Sequence, residues 1–112
     1  MPFINYNTKK KVTIFPGANS AMEHSNHITY ACVSLEEGVV IPEHSHPHEQ
    51  WTYIVEGQME FTLSGEKQLL TPGIGAYIPP DALHSAVAVT ACKVIDVFSP
   101  MRQEYKNLAT DN

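Results

Sequence analysis

Short runs rich in valine, isoleucine, threonine, tyrosine and phenylalanine recur every eight to twelve residues along this chain, with turn-forming residues between them. Runs so short and so closely spaced leave little room for helix, which restricts the chain to an all-β sandwich or barrel. The expected strands are residues 11–15, 28–35, 39–41, 50–55, 58–64, 68–70, 76–78, 85–89 and 93–98. Glu56-Gly57, Ser64-Gly65-Glu66 and Thr71-Pro72-Gly73 supply tight turns, while Pro79-Pro80-Asp81 cannot continue a strand because proline has no ladder donor. Met59, Phe61 and Leu63 alternate with Glu60, Thr62 and Ser64, the period of a strand with one buried face. After Pro100 the tail 101–108 reads as a short helix, and the last residues as frayed.

A chain of 112 residues is long enough to sustain one hydrophobic core, and no linker, repeat or low-complexity segment divides it, so residues 1–112 read as one domain. Its net charge is −5, with the basic residues scattered apart from Lys9, Lys10 and Lys11, which argues against nucleic acid or an anionic membrane as partner. The lysine triplet reads as a solvated edge before the first strand. The N-terminus lacks the layout of a signal peptide and no apolar run could span a bilayer, so a soluble cytoplasmic protein is expected. Cys32 and Cys92 lie in separate apolar runs without metal-binding spacing, and read as buried free thiols. His24 and His27 fall in a polar stretch, residues 17–26 and just beyond, and read as solvent-facing loop residues.

His44-Ser45-His46 sets two imidazoles two residues apart, so in an extended segment both point to one face, and Gln50 shares their parity. His84 follows the Pro79-Pro80-Asp81 turn at the mouth of another strand, where a closed barrel would return it to the first pair. Three imidazoles and one oxygen donor suit a divalent first-row metal with positions left open for water or substrate. A lone histidine is more often a surface or hydrogen-bonded residue, and a pair at this spacing is weak by itself. The surroundings carry more. Gly38, five residues, His44-Ser45-His46, three residues, Gln50, six residues and Gly57 resemble the first motif of the cupin family at every spacing, with glutamine where glutamate is usual. Gly73, five residues, Pro79 and then His84 resemble the second, with Asp81 in place of a glycine and Ala88 in place of the usual asparagine. The resemblance implies a single-domain cupin β-barrel, a double-stranded β-helix of the jelly-roll type with its motifs at 38–57 and 73–88, holding one divalent ion (Ni, Zn, Fe, Mn or Co) on His44, His46, Gln50 and His84.

His44-Ser45-His46-Pro47-His48-Glu49-Gln50, Thr52-Tyr53, Glu56-Gly57, Tyr77-Ile78-Pro79-Pro80 and Asp96-Val97-Phe98-Ser99-Pro100-Met101-Arg102 are similar to the KdgF-type cupins of pectin and alginate breakdown. The similarity runs from Gly38 to Arg102, 65 of 112 residues, and the N-terminal third adds nothing to it. It implies conversion of a 4,5-unsaturated uronate monosaccharide to its open-chain keto form, with Asp96, Phe98 and Arg102 lining the pocket. Opening the hemiacetal releases an enolate that must be stabilised until carbon 4 receives a proton, work suited to a Lewis acid. Asp96 would shuttle the proton and Arg102 would grip the substrate carboxylate with its planar fork.

Each residue also has a plainer reading. Asp96 could pair with Arg102 or end a strand, Phe98 could be core, and His48 could be a rim residue instead of a second contact to the site. Two other functions stay open: a cupin dioxygenase acting on a small molecule, and a non-catalytic sugar-binding or small-molecule-binding cupin. Trp51 and Tyr53 have the opposite parity to Gln50 and are expected on an outward face suited to a homodimer interface.

Overall fold

The computed structural model describes residues 3–110, so the expected fraying of the last residues lies outside the described residues. Ten strands and one helix follow in order: β1 (Val12–Phe15), β2 (Ala18–His24), β3 (Thr29–Leu35), β4 (Val40–His44), β5 (Glu49–Glu56), β6 (Met59–Leu63), β7 (Glu66–Leu70), β8 (Gly75–Ile78), β9 (His84–Ala88), β10 (Cys92–Ser99) and α1 (Gln103–Thr110). Every strand pairing is antiparallel. A six-stranded sheet, ordered β1-β2-β3-β10-β5-β8, faces a four-stranded sheet, ordered β4-β9-β6-β7.

Period-two patterning sets what each strand buries. Thr29, Ala31, Val33 and Leu35 of β3 point inward while the residues between them are half-buried, and β5 buries Gln50, Thr52 and Ile54 against exposed Trp51, Tyr53 and Val55. Ala31, Val33, Leu35 and Ile54, with Met59 and Phe61 of β6, Ala86 of β9 and Val94 and Phe98 of β10, fill one core between the sheets. At the ends of β5 and β6, Gly57 has φ of +92°, and a Cβ there would overlap the carbonyl oxygen of Ala91, so only glycine fits this turn. Ser64 and Gly65 both have positive φ, the requirement of the two-residue hairpin joining β6 to β7.

The nine expected strands are present with small shifts at their ends. The correction is β2. The polar stretch from Gly17, expected as a loop, pairs along its whole length with β3, from Ala18 opposite Leu35 to His24 opposite Thr29. His24 is therefore a half-buried strand residue whose Nδ1 lies 2.8 Å from the Thr29 hydroxyl, whereas His27 is exposed as expected. The helix starts at Gln103, two residues later than expected, because the Arg102 amide is drawn 2.8 Å from the buried Thr29 hydroxyl and donates to it. Lys9 pairs with Glu23 at 2.6 Å, and Lys10 and Lys11 are exposed. Both cysteines are free thiols; Cys92 is buried, but Cys32, on the outward face of β3, is only half-buried. No helix among the described residues is long and apolar enough to cross a membrane.

Candidate metal centre

The two sheets bring the expected ligands together. His44 ends β4 and stands directly opposite His84, the first residue of β9, with ring centroids 4.2 Å apart. His46 lies two residues on, in the link to β5, and its ring is 4.9 Å from that of His84. Among the described residues these three histidines form a group that could hold a metal ion, with candidate ligand atoms all within 4.8 Å of one another. The link is held by its backbone, where the Asp81 amide donates to the His46 carbonyl at 2.8 Å. Asp81 has φ of +66°, which explains the glycine expected at this place and why aspartate, which tolerates the left-handed region better than most residues, can stand in for it.

Each ring is fixed from behind in the same way. Nδ1 of His44 is 2.8 Å from the Pro42 carbonyl, Nδ1 of His46 is 2.9 Å from that of His48, and Nδ1 of His84 is 2.9 Å from that of Ala82. A carbonyl only accepts, so each Nδ1 carries a proton, and Nε2 is the ring atom left to act as a ligand. Burial pushes His46 and His84 further toward the neutral form, His84 down to about 4, with the positive charge of Arg102 acting in the same direction. Nε2 of His84 is buried without a hydrogen-bond partner.

Gln50 completes the group from β5. Its Nε2 donates to the Thr52 hydroxyl at 2.9 Å, and Thr52 donates in turn to Asp96 Oδ1 at 2.8 Å. That leaves Gln50 Oε1 facing His46 Nε2 at 3.1 Å. Two acceptors that close repel each other, and a cation between them turns the repulsion into coordination. The orphaned His84 nitrogen and this acceptor pair make the donor set fit a divalent first-row ion, which accepts imidazole nitrogen and amide oxygen.

Asp96 sits on β10 opposite Thr52, and with His44, Gln50, Thr52 and His84 it lines a cavity of about 50 Å³ in the barrel. Burial raises its carboxyl to about 6, against the lowering pull of hydrogen bonds from Thr52 and Gln50 and of the charge on Arg102. The inward parity expected of Val94, Asp96 and Phe98 therefore holds. Phe98 and Arg102, however, do not line that cavity. Phe98 is buried edge-on to His46 at 5.8 Å, and the Arg102 guanidinium lies 4.9 Å from the Phe98 ring centroid and 4.1 Å from that of Tyr105 in α1, the two rings themselves meeting edge-on at 5.7 Å. Among the described residues no ion pair joins Arg102 to Asp96; Arg102 Nη2 instead meets Glu104 at 3.2 Å. Arg102 is 7% exposed, and its Nε and Nη1 have no hydrogen-bond partner, nor has Nδ1 of half-buried His48. Tyr105 carries no sequence signal of a site, and Thr52, which shares parity with Gln50 and stands in one of the segments similar to the KdgF-type cupins, is given no role by that similarity.

Comparison with known proteins identifies the family. A family model described as the cupin domain matches residues 31–98. The pectin degradation protein KdgF of Dickeya dadantii (strain 3937) is 30% identical over 83 residues, covering 72% of this chain and 76% of that protein. The structure of KdgF from a Halomonas species superposes with a TM-score of 0.84 at 35% identity, over 92% of this chain and 96% of its own. An RmlC-like cupin from Shewanella frigidimarina superposes with a TM-score of 0.89 at 27% identity, over 94% and 96%. The chain belongs to the cupin family, an all-β barrel, and its relatives there include proteins of the KdgF type.

Proposed function

We propose that this cupin binds one divalent transition metal on His44, His46, Gln50 and His84 and converts a 4,5-unsaturated uronate monosaccharide to its linear keto form. The observation that carries the reading is the half-buried carboxyl of Asp96 on the same cavity wall as His44, Gln50 and His84. A bound ion supplies Lewis-acid stabilisation to negative charge developing on oxygen. Asp96, held near a pKa of about 6, can take the proton of the anomeric hydroxyl as the C1–O5 bond breaks and return it to carbon 4, so that the C4–C5 double bond becomes the C5 carbonyl. The cavity has room for little more than water, so the sugar must meet it edge-on from the rim. The free, buried Nε and Nη1 of Arg102, with His48 Nδ1 also unpartnered, are suited to the uronate carboxylate. The names of the pectin-degradation relatives support this substrate class.

The decisive experiment mixes purified protein with the unsaturated monosaccharide and follows the ultraviolet absorbance of the conjugated double bond. Loss of absorbance that chelation abolishes is expected, and no loss with nickel, zinc, iron, manganese or cobalt would overturn the reading. Elemental analysis should find one metal per chain, lost when His44→Ala and His84→Ala are combined.

A second copy of this chain is the proposed protein partner. Trp51, Tyr53, Val55 and Tyr77 are 54, 50, 47 and 41% exposed on the outer face of the six-stranded sheet, a contiguous apolar patch of the kind that homodimers cover. Sedimentation should show a dimer that Tyr53→Glu dissociates. Free thiols at Cys32 and Cys92 suit the reducing cytoplasm proposed for it.

A further inference from the structure

The Thr52 hydroxyl has one proton to donate, and the residue is buried. Asp96 Oδ1, an acceptor, takes that proton at 2.8 Å. The hydroxyl can therefore only accept from Gln50 at 2.9 Å, which requires the amide nitrogen to point at Thr52 and the amide oxygen to point away, toward His46. From this we infer that Thr52 is a positioning residue of the metal site: with the Asp96 carboxyl, which also accepts from Gln50, it fixes which end of the Gln50 amide faces the three imidazoles. The inference rests on Gln50 being a ligand, as proposed above.

The local structure holds Thr52 in place for this task. Threonine is stiff about χ1, and the residue sits in mid-strand between β10 and β8, with Asp96 opposite on one side and Ala76 on the other. Strand β8 approaches so closely at Gly75 that a Cβ there would overlap the Thr52 carbonyl oxygen, leaving the backbone no room to move that way. An amide left free to rotate would present its NH₂ to the ion in part of the population, and NH₂ is no ligand. Partners behind a ligand are worth about 10-fold to 100-fold in metal affinity.

The test uses Co²⁺ as probe, because its visible spectrum reports the ligand set independently of turnover. Competitive titration against a chelator is carried out on the parent, Thr52→Val, Thr52→Ser, Gln50→Ala and the Thr52→Val/Gln50→Ala pair. Thr52→Val, similar in shape and at home in a strand, is expected to weaken Co²⁺ binding about 10-fold to 100-fold and alter the visible band, while Thr52→Ser restores both. In the Gln50→Ala background the valine should cost nothing further. Parent-like affinity in Thr52→Val, or an equal loss with and without Gln50, would overturn the inference. Should the valine variant fail to fold, Thr52→Ala against Thr52→Ser makes the same comparison. If Gln50→Ala binds Co²⁺ as the parent does, the ligand assignment itself is wrong, a result distinct from any failure at Thr52.

Discussion

At Asp96 and Arg102 two residues that lie six apart in the sequence meet different parts of the proposed reaction, and kinetics should separate them. Asp96→Asn keeps shape and lowers kcat about 100-fold or more, as expected when a proton-transfer group is lost. Arg102→Lys keeps charge but loses the planar fork that packs against Phe98 and Tyr105, so it should chiefly raise KM, by roughly 1–3 kcal/mol of binding. Steady-state kinetics on both variants checks the split. Gln50→Glu is expected to retain metal but slow turnover, because two carboxylates would then flank the single Thr52 proton and the added charge opposes the build-up of charge on oxygen. The Asp96 carboxyl also makes the metal-free protein sensitive to acid in an unusual sense. Its folded pKa of about 6 exceeds the ordinary 3.8, so its contribution is fully present below 3.8 and is lost as pH rises through 6. His84, lowered to about 4, acts in the opposite sense over much of the same range, but it is common to the parent and to Asp96→Asn. The stability of metal-free parent relative to that variant should therefore fall between about pH 4 and 6, by on the order of 2 kcal/mol in denaturant titrations.

Individual elements show what the sequence could and could not tell. The inward face of β5 and the ligand spacing were readable because alternation and spacing are local, and the three histidines meet as expected. Strand β2 was not. Its Ala18, Ser20 and Ala21 are small residues with no strand preference, and what makes them a strand is the ladder to β1 on one side and β3 on the other. The detour of Phe98 and Arg102 away from the cavity was hidden for a similar reason, since it depends on Tyr105 of α1 covering the guanidinium. The turn into β9 gives a direct check on backbone strain. Asp81→Val should destabilise the protein by about 1–2 kcal/mol, because a β-branched residue suits φ of +66° poorly, while Asp81→Gly stays close to the parent. Thermal melts of the two variants make the comparison.

Across the whole molecule, the proposed ligands come from both layers: His44 and His84 from the four-stranded sheet, Gln50 from the six-stranded one, and His46 from the link between them. Removing the ion should therefore lower the melting temperature of the entire barrel, with a shift that grows with free metal concentration, since a ligand bound only by the folded state stabilises it by mass action. The pairing of His44 with His84 has a kinetic consequence as well. Forty residues separate the two in the chain, so the complete site exists only once β4 and β9 have docked and β5 has closed across them. An ion that finds its full set of donors so late cannot hasten the climb to the folding barrier. It should act instead as a latch on the finished barrel, leaving the refolding rate almost unchanged and slowing the rate of unfolding, the signature of an interaction absent from the transition state.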